Sequence, residues 1–245
     1  MSIPRLFIAA PLAAGETVPG LPGQGHYLGQ VMRRRPGDAV TLFNGRDGEW
    51  AARIEALRKD QAVFLPESRT RAQQATPGLR LVVAAVKRDA MDWIVEKATE
   101  LGVARLQPVF TARTIADRVN TARLASIARE AAEQCERLDL PEIAAPQPLH
   151  AVLDGWDSAP LFIGAARETA PELGAAAAGL APPLGWLVGP EGGFTGPELD
   201  DLRRRPFVRS ASLGPRILRA ETAAVAGLAI LQSRCGDWAA LGPAP

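Results

Sequence analysis

Gly, Pro, Glu and Arg crowd into two short stretches near the C-terminal end of the chain, and these residue types are suited to holding a small ligand. The first stretch is Leu187-Val188-Gly189-Pro190-Glu191-Gly192-Gly193-Phe194; the second is Ser212-Leu213-Gly214-Pro215-Arg216-Ile217-Leu218-Arg219-Ala220-Glu221-Thr222. Gly accepts φ > 0 and lets a ligand approach the backbone, while Pro fixes φ and removes a donor. A Cβ at Gly189 or Gly214 is expected to fill space left for that ligand. Leu213, Ile217 and Leu218 offer apolar walls to a planar group whose edge main-chain atoms can read. Arg216 and Arg219 suit a phosphate or a base, or a pairing with Glu221 or Glu191. Glu221 stands where a helix should begin, a position the macrodipole favours for a carboxylate in any case. Glu191 reads equally as a ligand acceptor and as a solvated turn carboxylate. Thr195-Gly196-Pro197-Glu198 has the capping-box pattern, which assigns Thr195 and Glu198 to structure.

Both stretches follow short apolar runs of strand type and lead into helices. The preceding chain supplies the rest of an α/β layer. Leu79 to Val86 is apolar apart from Arg80, as in a strand buried on both faces. Asp89 to Leu101 follows as a helix with Asp89 at its N-cap and Gly102 just past its end. Val103 to Phe110 is the next strand, and Asn120 to Leu138 a long helix with Leu124, Ile127, Ala131, Cys135 and Leu138 on one face. Leu161 to Ile163 and Leu184 to Val188 add strands; Gly174 to Pro183 reads as a loop. This alternation predicts a parallel sheet with helices on both sides. The last helix, Glu221 to Gln232, is apolar on nearly every face, so it should pack on the sheet and on a second subunit.

The N-terminal part has a different rhythm. Arg5 to Ala9, Val40 to Phe43, Glu49 to Ile54 and Ala62 to Leu65 are short strand-like runs, with a turn-rich connection over Asn44 to Gly48. Such spacing suggests a small β-barrel. Residues 66 to 78 are polar and aperiodic, and read as connecting chain. The expected organisation is one domain over 1–70, a linker over 71–78 and a second domain over 79–245.

Composition narrows the classes. With 245 residues, 47% hydrophobic and 22% charged, the chain is of ordinary globular type. A net charge of +1 announces no polyanion partner, so a nucleic-acid surface must come from local clusters such as Arg33-Arg34-Arg35 and Arg203-Arg204-Arg205. Two cysteines without CxxC spacing and two histidines argue against a zinc cluster, and no metal is expected. Gly23-Gln24-Gly25-His26-Tyr27-Leu28 lacks the third Gly of a dinucleotide fingerprint, and no P-loop occurs. Pro4 and Pro11 break the short apolar start, against a secretion signal, and no apolar run is long enough to span a bilayer.

Gly-Pro-Glu-Gly-Gly-Phe followed by Leu-Gly-x-Arg-Ile-Leu-Arg-x-Glu-Thr-Ala resembles the cofactor loops of the SPOUT methyltransferases, in the branch that methylates uridine N3 in small-subunit (16S) ribosomal RNA. Asp92 to Gly102, Glu130 to Cys135 with Arg137, Arg5-Leu6-Phe7, and His26-Tyr27-Leu28 with Val31-Met32-Arg33 extend the likeness over nearly the whole chain. The resemblance implies an α/β parallel-sheet SPOUT domain with a trefoil knot, preceded by a PUA-like β-barrel. It implies S-adenosyl-L-methionine held by Leu187, Gly189, Pro190, Glu191, Gly192, Leu213, Gly214, Ile217, Leu218 and Thr222. It makes Arg219, Arg216 and Glu221 the catalytic candidates, with proton loss to Glu191, Glu221 or water left open. Arg5, His26, Arg33, Arg34 and Arg35 become the RNA-binding candidates. The partners it implies are 16S rRNA or the small ribosomal subunit and a second copy of the chain, in the cytoplasm and away from membranes. A ribose 2′-hydroxyl as acceptor and a non-catalytic RNA-binding module are the rival readings.

Overall fold

A computed structural model describes residues 3–74, 76–164 and 169–240, with the side chains of residues 239 and 240 left aside. The chain forms two compact units: Met1–Ala75 with Ala132–Leu140, and Thr76–Ala131 with Pro141–Pro245.

In the first unit, β1 (Arg5–Phe7), β2 (Val18–Pro19), β3 (Ala39–Phe43), β4 (Glu49–Arg58) and β5 (Gln61–Arg71) make one sheet in the order β1-β3-β4-β5-β2. A helical turn, α1 (Gln24–His26), runs into a π-turn over Tyr27–Val31. The β4–β5 ladder is broken at three register shifts, between Glu49 and Trp50, Ala51 and Ala52, and Ile54 and Ala56. Such bulges bend a strand and increase its twist, and they curl the sheet around Leu6, Ile8, Leu28, Leu42, Ile54 and Phe64. Glu67–Arg71, polar enough to read as connecting chain, is the exposed second half of β5. Pairing with β4 holds it there without an apolar face of its own, and the Thr70 hydroxyl donates to the Glu49 carbonyl.

The second unit is a seven-stranded sheet whose pairings are all parallel. Its elements in chain order are β6 (Leu79–Ala84), α2 (Arg88–Glu100), β7 (Arg105–Phe110), α3 (Thr121–Gln134), β8 (Glu142–Ile143), β9 (Gln147–Pro148), α4 (Leu149–Asp154) and β10 (Leu161–Gly164). Then come α5 (Leu173–Ala176), β11 (Leu184–Val188), α6 (Gly196–Arg204), β12 (Val208–Ala211), α7 (Ala220–Cys235) and α8 (Asp237–Ala240). The strand order is β12-β10-β11-β6-β7-β8, with β9 also on β7. From β6 the chain first builds outward through β7 and β8. It then crosses to the other side of β6 and places β10, β11 and β12 there.

Several boundaries differ from the sequence reading for local reasons. Lys87, not Asp89, is the N-cap of α2, and Asp89 lies in the first turn, where a carboxylate still meets the positive helix end. α3 stops at Gln134, and Glu136 takes φ 61°, which ends any helix before Cys135–Leu138 can join it. Within Gly174–Pro183 a short helix forms because the Glu172 carboxylate accepts from the N–H groups of Gly174 and Ala175.

Helix α7 is closely fixed. The Trp186 indole N–H donates to the Ala223 carbonyl at 3.0 Å, and a Cβ at Gly227 would overlap the indole ring. Further along, Gln232 is fully buried; its amide donates to the Leu101 carbonyl and its Oε1 accepts from the Asp237 N–H. Leaving such a buried group unpaired costs about 1–3 kcal/mol. One face of α7, through Ala224, Leu228 and Leu231, is therefore locked to the domain core. Val225, Ala226 and Ala229 on the other side remain half-buried or buried only in part by this chain, so the helix is not enclosed on all sides within one chain.

Candidate active site

In a parallel sheet all strands end on the same edge, and ligands settle there where the strand order reverses. Here the reversal lies between β6 and β11. The first glycine turn leaves β11 at that point, and the second leaves β12, with β10 between them. Neighbouring strands are about 4.8 Å apart, so the two turns start roughly 10 Å from one another, a gap one small molecule bridges.

Leu187 and Val188 are buried at the end of β11, Pro190 is buried, and Glu191 and Gly192 border the solvent. The turn closes through the Gly193 N–H on the Pro190 carbonyl at 2.8 Å. Gly193 has φ 68°, and a Cβ built there would have no atom within 4 Å. Gly189 behaves differently from expectation. Its Cβ would lie 3.0 Å from the Phe194 ring, so the bare backbone there also serves packing within the turn.

The second turn starts with the Ser212 N–H on the Pro171 carbonyl, and the Ser212 hydroxyl then accepts from the Gly214 N–H at 3.1 Å. Gly214 has φ 100° and open space where a side chain would stand. Leu213 and Leu218 are half-buried, while Arg216 and Ile217 are exposed, Ile217 to 68%. Arg219 is the N-cap of α7, in extended backbone, and its carbonyl accepts from the Ala223 N–H. Glu221 and Thr222 sit in the first helical turn, Glu221 half-buried and Thr222 exposed. The pairing of Arg216 and Arg219 with Glu221 or Glu191 does not occur. Among the described residues these four side chains make no hydrogen bond or ion pair.

The structure adds a loop that sequence reasoning passes over. After β7 the chain turns at Thr111–Thr114 and reaches the first glycine turn. The Arg113 guanidinium donates to the Gly192 carbonyl at 2.7 Å, and its alkyl stem lies within 3.3 Å of where a Gly192 Cβ would stand. The Ala112 N–H donates to Glu198 Oε1 at 2.7 Å, while Glu198 Oε2 accepts from the N–H and hydroxyl of Thr195. Glu198 is thus a cap and a cross-link at once. Burial pushes its carboxyl up, but the donors from Thr195 and Ala112 and the charge of Arg113 outweigh that and hold it below the ordinary range. Glu198 therefore stays ionised and is no proton carrier near neutrality.

The RNA candidates all lie in the first unit. His26, Arg33 and Arg35 are exposed, and Arg34 is half-buried. Arg5 does not belong to the set. Its Nε pairs with Glu49 at 2.8 Å, its two terminal nitrogens donate to the carbonyls of Ala132 and Arg137, and its plane lies 3.9 Å over Phe43. A guanidinium so committed, on a side chain only 9% exposed, ties the strand to residues 132–137 and is out of reach of a phosphate.

Comparison with known proteins agrees with this geometry. A profile described as RNA methyltransferase domain matches residues 74–232, and one described as RNA methyltransferase PUA domain matches residues 22–67. Ribosomal RNA small subunit methyltransferase E of Rickettsia conorii is 32% identical over 216 residues, covering 86% of this chain and 88% of that protein. The Synechocystis protein of the same name is 33% identical over 232 residues, covering 92% of this chain and 76% of its own length. The crystal structure of a Neisseria gonorrhoeae ribosomal RNA small subunit methyltransferase E bound to S-adenosyl methionine superposes with a TM-score of 0.86 at 31% identity, over 97% of this chain and 100% of that one.

Proposed function

The chain belongs to the RNA methyltransferase family with a PUA domain, and from that membership we infer that it methylates small-subunit ribosomal RNA, with S-adenosylmethionine as donor. The observation that carries the reading is the pair of glycine turns on one sheet edge. Gly193 and Gly214 each adopt positive φ and leave clear space where a side chain would stand. That backbone cradle, with Leu213, Ile217 and Leu218 beside it, fits an adenosyl group. Leu187, Gly189, Pro190, Glu191 and Gly192 on one side and Thr222 on the other complete the proposed holding set.

When bound, S-adenosylmethionine supplies an activated methyl group whose loss leaves a neutral thioether. The protein's tasks are then position and proton removal. The acceptor we propose is uracil N3, which carries a proton and lies on the pairing edge, so the base must be unpaired or turned out. Loss of that proton spreads negative charge over the imide. Arg219, at the positive end of α7 and without a hydrogen bond or ion pair from its side chain among the described residues, is suited to stabilise the charge, with Arg216 second. Glu191 and Glu221 are the carboxylates at the same edge able to take the proton, alongside water. Methyl transfer to purified small subunits and to free rRNA, followed by nuclease digestion, tests the reading: 3-methyluridine is the expected product. A ribose-methylated nucleoside would keep the fold and change the acceptor; no transfer to either substrate would refute the assignment.

We also propose a homodimer built on the half-buried side of α7. Ala224 faces the core at 1% exposure, so a charge there breaks the domain; Ala229 is the informative site. Ala229→Glu should give a folded monomer, because an interface core does not tolerate an unpaired buried charge. Light scattering reads the mass. A wild-type protein that is already monomeric at micromolar concentration ends the proposal. No helix among the described residues is long and apolar enough to cross a membrane, and a ribosomal substrate supports a cytoplasmic site of action.

A further inference from the structure

The first unit carries an exposed aromatic in a setting that its own fold does not require. Tyr27 is 42% exposed and Val31 is 62% exposed, on the same π-turn that buries Leu28 completely. The turn closes through the Met32 N–H on the Tyr27 carbonyl at 2.9 Å, the wide helical spacing that is rare and gathers at functional sites. The chain leading into this turn is tied to its neighbours. Gln24 accepts from the Leu21 N–H and donates to the Phe7 carbonyl. A Cβ at Gly25 would overlap the Gln61 backbone, and the Gly23 N–H donates to the Asp60 carbonyl. These contacts also bring the β4–β5 hairpin tip, with exposed Arg58 and Lys59, against the start of α1.

Basic residues lie on the same turn as the aromatic and on the hairpin tip beside α1. His26, Arg33, Arg58 and Lys59 are all exposed. Arg33 has φ 53° and Lys59 φ 40°, a left-handed backbone that long side chains seldom adopt and that glycine or asparagine would occupy with less strain. Keeping a cation at both strained positions points to work done by the side chains. An exposed aromatic ring together with nearby exposed cations is a combination suited to single-stranded nucleic acid, since every base has a π-face and every link a phosphate.

We propose that Tyr27 is a stacking platform for an unpaired base of the RNA substrate, with Val31 beside it and Arg33, Arg58 and Lys59 on the flanking phosphates. The proposal rests on the rRNA-methyltransferase reading and names the feature of the RNA that the first unit grips. A duplex hides its base faces, so the platform selects loops, bulges or ends.

Tyr27 is the only tyrosine in the chain, so incorporating 3-fluorotyrosine gives one fluorine resonance that reports this site in the intact protein. Short single-stranded oligouridylate and oligoadenylate should shift that resonance, and the two strands annealed to each other should not. Tyr27→Ala should weaken single-strand binding by about 5- to 150-fold, whereas Tyr27→Trp retains it. Joint replacement of Arg58 and Lys59 by Gln should flatten the dependence of log K on log salt by roughly 1.4. The proposal fails, with the enzymatic reading intact, if the protein binds and methylates RNA while the resonance stays still and Tyr27→Ala binds normally. It fails equally if duplex moves the resonance as much as single strand, or if only protein-bearing subunits move it. Should the wild type bind no RNA and methylate none, both readings fall together.

Discussion

Arg219→Ala is expected to lower the rate of methyl transfer by about 10²- to 10³-fold at saturating RNA and cofactor, the loss typical of removing one donor from a developing anion. The expectation follows from where the residue is fixed. Its backbone is the N-cap of α7, its carbonyl holds the Ala223 N–H, and α7 itself is clamped by Trp186 at Ala223 and Gly227. The main chain under Arg219 is therefore rigid, while the guanidinium has no partner among the described residues. Removing it breaks no hydrogen bond or ion pair among the described residues, so the variant should melt with the wild type and bind S-adenosylmethionine unchanged. RNA affinity should fall by no more than one phosphate contact, a change in salt slope of roughly 0.7 to 0.9 at most. Arg219→Lys should recover part of the rate, since the charge returns without the planar fork. If Arg219→Ala instead loses affinity and slope while the rate at saturation is intact, the side chain holds RNA backbone and takes no part in the chemistry.

What can be read from the chain alone depends on how local the cause is. Leu79–Ala84 and Leu184–Val188 announce buried parallel strands because nearly every residue in them is apolar, and neither needs a distant partner to be recognised. The two glycine turns are legible for the same reason, since Gly and Pro constrain their own backbone. Arg5 misleads because the groups that claim it, Glu49 and the carbonyls of Ala132 and Arg137, lie 44, 127 and 132 residues away. Arg113 escapes notice because its partner Gly192 is 79 residues distant, and nothing in Thr111–Thr114 sets it apart from a polar loop. Glu198 shows the intermediate case: its bond to Thr195 is local and expected, whereas its bond to Ala112 spans 86 residues and is not. Of the glycines, positive φ at Gly214 follows the turn chemistry, but the contact of Gly189 with Phe194 depends on how the turn folds back on itself.

That contrast between the two glycines makes Gly214→Val the sharper test of the cofactor site. At Gly214 the backbone sits at φ 100°, and no atom lies within 4 Å of the place a Cβ would take, so steric overlap with the protein does not oppose a side chain. Two penalties remain. A β-branched residue is strained in that backbone region, by about 1–3 kcal/mol, which the turn relieves by moving. The added methyls also occupy the open side of the cradle, the face the ligand is proposed to use. The strain alone corresponds to a loss of affinity of about 5- to 150-fold, and occupation of the cradle adds to it. S-adenosylmethionine binding by calorimetry should therefore drop by about 100-fold or more, while the helical and sheet signal of the protein is kept. Gly189→Val should act by another route. Its side chain meets the Phe194 ring first, at 3.0 Å, so the turn must repack and thermal stability should fall along with affinity. Gly214→Ala separates the two penalties, because it keeps most of the backbone strain and adds a single methyl. If Gly214→Val and Gly214→Ala both bind S-adenosylmethionine as the wild type does, the second turn lies outside the cofactor site, and the adenosyl group must be held by the β11 turn and its Arg113 cross-link alone.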